Sequence, residues 1–82
     1  VSIEAIRGAM AEVRDQIVAA HQDVSIARER LADAVRTLTE LSRNHSASLL
    51  PPEHQRADEQ LATCLEALAG SLACVDRYAG GL

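Results

Sequence analysis

The sequence predicts an all-α fold, an antiparallel two-helix hairpin with coiled-coil character that completes a four-helix bundle by dimerisation. Three observations carry that prediction. Apolar residues make up 48% of the 82-residue chain, yet it has one Tyr, no Trp and no Phe. Ala and Leu supply most of the apolar content, and together with Glu, Gln and Arg they favour helix over strand. Next, the stretch Asn44-His45-Ser46-Ala47-Ser48-Leu49-Leu50-Pro51-Pro52 gathers turn chemistry between two long periodic segments. Each proline there pushes its predecessor out of the α region. Finally, the apolar residues of the first segment alternate steps of three and four over its whole length.

The first helix is expected over about residues 3–44. Ser2 is placed to cap it, and Glu4 lies in the first turn, where the helix dipole favours negative charge. Ile3, Ile6, Met10, Val13, Ile17, Ala20, Val24, Ala27, Leu31, Ala34, Leu38 and Leu41 form an unbroken seam with a 3.5-residue repeat. Such a repeat marks the line along which supercoiled helices meet. Glu4–Arg7, Asp33–Arg36 and Glu40–Arg43 are acid-to-base pairs three residues apart, suited to solvated faces. Gly8 is the weak point, costing about 1 kcal/mol relative to Ala in a helix interior.

A turn over about residues 45–51 leads to a second helix over about 52–79. Pro51 or Pro52 suits its first turn, Glu53 complements its dipole, and Gly80-Gly81 is a natural stop. Its apolar stripe is Ala57, Leu61, Cys64, Leu65, Leu68, Ser71, Leu72, Val75, Tyr78 and Ala79. That stripe is wider than one seam, as in a helix with more than one neighbour.

Folding the hairpin about residues 47–48 sets position i of the first helix against about 95 − i of the second. Ala34 then faces Leu61, Ala27 faces Leu68, and Ala20 faces Val75, while Leu31 faces Cys64, Val24 faces Ser71, and Leu38 faces Ala57. Small meets large in successive layers, as close packing requires. The expected hairpin core is therefore Ala20, Val24, Ala27, Leu31, Ala34 and Leu38 against Leu61, Cys64, Leu65, Leu68, Leu72 and Val75. At 1.5 Å per residue the helices are about 63 and 42 Å long, so the second covers the first back to about Ile17. Ile3, Ile6, Met10, Val13 and Ile17 form the expected interface, an apolar strip left for another chain. A homodimer is the simplest partner arrangement, and a heterodimer with a related helical protein serves equally.

Charge and composition exclude other classes. Twelve acids against eight Arg, with no Lys, give a net charge of −4. That opposes nucleic-acid binding, and the missing aromatics remove base-stacking platforms. Without Lys there is no Schiff-base chemistry and no P-loop. No apolar run approaches the roughly 20 residues of a membrane span, and no basic, then apolar leader is present. The expectation is a cytoplasmic protein with no membrane partner, or one exported without a cleavable signal peptide. The Arg-only, Ala-rich composition reads as bacterial, so the chance N-glycosylation pattern Asn44-His45-Ser46 carries no weight.

Specific catalytic patterns are absent, and the chain is read as non-enzymatic with no cofactor and no metal. Its serines lack a G-x-S-x-G setting, and no inward Glu-x-x-His motif appears. Cys64 and Cys74 lie about 15 Å apart along one helix and cannot bridge each other. Cys64 is expected in the core, and Cys74 at the stripe's edge near Ser71 and Tyr78. His21 falls beside the seam. His45, His54 and Asp58 could form a metal site, making a small metal-binding bundle one alternative; polar residues around a turn are the plainer reading.

A short acidic helix–turn–helix chain of this length resembles the W-x-G helical-hairpin family of type VII secretion substrates. The resemblance spans nearly the whole chain in architecture. It implies a hairpin that pairs with another hairpin and serves as a secretion-system substrate or chaperone. This chain has Ser46-Ala47-Ser48-Leu49-Leu50-Pro51-Pro52 where the family carries Trp-x-Gly. Tyr78 is followed by Ala79-Gly80-Gly81-Leu82 where the family carries Tyr-x-x-x-Asp/Glu, and no residue role is carried over.

Overall fold

The computed structural model describes residues 2–45 and 49–82, and residues 46–48, the centre of the expected turn, lie outside the described residues. Two helices, α1 (Ile3–Ser42) and α2 (Glu53–Gly80), pack antiparallel as a hairpin, with no strand among the described residues. The molecule is a rod of 66 × 15 × 14 Å. Both helices are continuous, α1 passing unbroken through Gly8 and His21-Gln22-Asp23.

Local chemistry accounts for the ends. Ser2 caps α1 as expected: the Ala5 N–H donates to Ser2 Oγ at 3.0 Å. This satisfies one of the amides that a helix start leaves without a partner. At the other end α1 stops two residues short of the expected boundary, tightening into Asn44 N–H to Leu41 carbonyl and His45 N–H to Ser42 carbonyl bonds. Pro52 occupies the N-cap position of α2, and Gly81 closes its C-terminus with ordinary right-handed backbone.

The half-buried residues keep a seven-residue repeat, but the seam is turned slightly from the expected one. On α1 it runs through Met10, Ile17, Val24, Leu31 and Leu38, with His21, Arg28, Val35 and Ser42 as the second column. The expected second column of Ile6, Val13, Ala20, Ala27, Ala34 and Leu41 lies next to the seam instead: Ile6 and Ala20 are half-buried and the others are exposed. On α2 the seam is Asp58, Leu61, Leu65, Leu68, Leu72, Val75 and Ala79. Cys64 is exposed, as are Ala27 and Ala34, so these three are corrected from core to flank. A stripe three columns wide looks alike from either side in sequence, and the long Arg side chains decide which side faces α2.

The register also differs. Arg28 meets Asp58, Arg14 meets Asp76, and Arg7 meets the Leu82 carbonyl, so position i lies opposite about 88 − i. That is about one heptad from the expected pairing. The turn explains it. Leu49 to Pro51 are non-helical, and proline disfavours the helical conformation in the residue before it. An extended residue advances more than twice as far as a helical one. Leu50 therefore already lies beside Leu31, Ala32 and Val35. α2 thus begins well down the flank of α1 and ends near Arg7, leaving only the first turn of α1 beyond it, rather than everything before Ile17.

Candidate interaction surface

The interhelical contact is held by apolar residues along its length and by arginines spaced in multiples of seven. The Arg28 guanidinium donates from Nε and Nη2 to the two carboxylate oxygens of Asp58, at 2.7 and 3.1 Å. The Arg14 Nε–Asp76 Oδ1 bond is 3.0 Å, and Arg7 donates to the Leu82 carbonyl at 2.9 Å. His21 occupies the same column between Arg14 and Arg28 and is half-buried. The Arg28 bond, more than its charge, holds the Asp58 carboxyl below the usual carboxylate range against the opposing effect of burial; the same partner raises Arg28. Sequence reasoning missed this column because it sought apolar periodicity. The spacing of Arg7, Arg14 and Arg28 was the available signal. Of the expected exposed pairs, Asp33–Arg36 forms, while Arg7 turns to α2 instead of Glu4.

Ser42 ties the turn to α1. Its hydroxyl donates to the Leu38 carbonyl and accepts from the Leu49 N–H, both at 2.8 Å. Below this lies a cleft of about 280 Å³ lined by Leu31, Ala32, Val35, Leu50, His54, Gln55 and Asp58. His54 Nδ1 is buried without a hydrogen-bond partner. A second cleft of similar size lies between Val18, His21, Gln22, Ala69 and Leu72. The expected trio does not assemble: His45 is exposed in the turn and Asp58 is engaged by Arg28. Among the described residues no three His, Cys, Asp or Glu side chains are grouped to hold a metal.

These clefts identify one flank of the hairpin, since the columns through Val18 and Ala32 on α1 and through Gln55 and Ala69 on α2 line them together. The opposite flank carries Ile6, Val13, Ala20, Ala27, Ala34 and Leu41 from α1. From α2 it carries Ala57, Cys64, Ser71 and Tyr78. These two columns contain no charged residue. Several of them stand open, with Val13 40%, Leu41 50% and Tyr78 59% exposed. Of the residues expected at an interface, Ile6 and Val13 belong to this flank, and Ile3, 55% exposed, stands at the uncovered end. Met10 and Ile17 are instead half-buried in the seam.

Among the described residues none is buried, so the hairpin alone has no enclosed core. Nor is either helix long and apolar enough to cross a membrane. No protein-family model, curated protein or solved structure matches the chain.

Proposed function

We propose that this chain is a non-enzymatic protein–protein interaction module: a helical hairpin that self-associates or pairs with another helical protein. The observation supporting this reading is the surface the hairpin leaves open. Its accessible area is 6133 Å². A compact monomer of 8.8 kDa exposes about 4,800 Å². The excess of about 1,300 Å² per chain is what one side of an obligate interface buries, the total for such interfaces starting at about 2,000 Å². A rod two helices thick shields each seam residue only partly, and a second helical layer supplies the missing cover.

The uncovered end of α1 adds only Ile3 and its immediate neighbours to that surface, because α2 reaches Arg7. Sedimentation equilibrium at micromolar concentration tests the reading directly. A species larger than one chain is expected. A fully helical monomer, unchanged in mass across the concentration range, refutes self-association.

A further inference from the structure

We infer that a second copy of this chain covers the uncharged flank, the two copies of α1 packing antiparallel and crossing at Ala27. This rests on the proposed self-association and specifies its face and geometry. The half-buried seam keeps its seven-residue repeat from Met10 to Leu38, so the column beside it stays on one side of the rod. At the middle of that column stand Ala20, Ala27 and Ala34, and small side chains let two helix backbones approach closely. Antiparallel packing about Ala27 sets Ala20 against Ala34 of the copy and Val13 against Leu41, bringing the larger apolar groups together at both ends. A two-fold axis at Ala27 produces each contact twice.

Charge selects both the flank and the direction. The column bordering this flank on α1 carries two charged residues, Asp23 and Arg30, which form no ion pair among the described residues. They lie almost symmetrically about Ala27, so antiparallel packing places Asp23 of each copy beside Arg30 of the other. Packing α1 on α2 of the copy would instead leave both charges against the uncharged stretch of Gln60, Ala67 and Cys74. The cleft-bearing flank is bordered by the acids Asp15, Glu29, Glu59 and Glu66, against the cations Arg36 and Arg43. Arg36 is already paired with Asp33. Self-packing there would gather more acids than free cations, and like charges across an interface are costly. The exposed area agrees, since an excess of about 1,300 Å² per chain exceeds the roughly 800 Å² a partner contributes to a standard interface.

The test is cross-linking of the full chain in a Cys64→Ser, Cys74→Ser background, with mass and helicity measured beside it. Ala27→Cys is expected to form an interchain disulfide under mild oxidation, because residues on the axis fall within the roughly 7 Å that a disulfide spans. Ala32→Cys, on the other flank, is expected to remain unlinked. A dimer by mass in which Ala32→Cys links, or neither position links, overturns the inferred face while leaving self-association standing. A monomer by mass overturns both. Charge reversal gives an independent readout: Asp23→Arg is expected to weaken self-association tenfold or more, and adding Arg30→Asp to restore it. Unchanged dissociation in Asp23→Arg, or no rescue by the double variant, overturns the antiparallel crossing.

Discussion

The Arg28 guanidinium grips both carboxylate oxygens of Asp58 across the interhelical seam, joining residues 30 apart in sequence. This bidentate contact fixes where α2 stands along α1. A slip of one heptad in either direction would bring Asp58 beside His21 or Val35 of the same column, and neither side chain can supply the fork.

Acid is expected to weaken the fold through this pair. Because Arg28 holds the Asp58 carboxyl below its ordinary value, folding favours the ionised form. The contribution is therefore fully present above the unfolded aspartate pKa of about 3.9 and is lost as pH falls through the lower folded value. Thermal melts of the parent and Asp58→Asn from pH 7 to pH 2 check this. The variant should melt lower at neutral pH, and the gap should close as acid protonates the parent's carboxyl. A gap that stays constant with pH would mean that the ionisation of Asp58 contributes nothing to folding.

The difference between seam and flank gives a second prediction. Leu65 lies half-buried on the seam, whereas Ala67 stands exposed two residues on. Leu65→Ala is expected to cost about 1–2 kcal/mol, at or below the bottom of the range of about 2–5 kcal/mol for fully buried Leu, because its burial is partial. In a chain of this size that lowers the melting temperature by roughly 5–15 °C. Ala67→Ser should shift it by no more than a helix-propensity difference of a few tenths of a kcal/mol. Circular dichroism melts distinguish the two.

Much of this fold was legible because helix signals are local. Ser2, the proline pair and the Met10–Leu38 repeat all act within a few residues of where they stand. What was not legible depends on contacts between helices. Val13 and Arg14 are neighbours, and hydropathy alone assigns the seam to Val13. Arg14 takes the contact side because its long stem can lie along α2 while its head reaches Asp76, leaving the shorter Val13 on the flank. The register failed for a similar reason. It depends on how far Leu49 to Pro51 carry the chain back along α1, which residue counting cannot supply.

Two glycines offer stabilisation without disturbing either contact surface. A Cβ added at Gly8 or Gly70 would meet no atom within 4 Å. Both lie inside helices, where Gly is about 1 kcal/mol less favourable than Ala. Gly8→Ala with Gly70→Ala should therefore stabilise the fold by about 1–2 kcal/mol, read in urea unfolding as a higher midpoint with unchanged slope. Neither position lies on the uncharged flank, so the solution mass should match the parent's. A lowered midpoint would mean that one of these glycines makes a close contact absent from the isolated hairpin.

The last prediction separates association from folding. Ile6 and Val13 share the uncharged column, and Val13 is 40% exposed in the single hairpin. Replacing both by Asp gives up some packing at half-buried Ile6 but none at exposed Val13, and it leaves the shared seam column and the arginine column intact. It does introduce two carboxylates per chain onto a surface that would have to lose its water on association. Burying an unpaired carboxylate is unfavourable enough to block such packing. Ile6→Asp with Val13→Asp should thus reduce the sedimenting mass toward one chain while far-ultraviolet circular dichroism keeps its helical intensity. Melting temperature should also lose its dependence on protein concentration, because that dependence arises only when folding is linked to association. Retained mass with both carboxylates in place would mean the partner surface lies elsewhere on the rod.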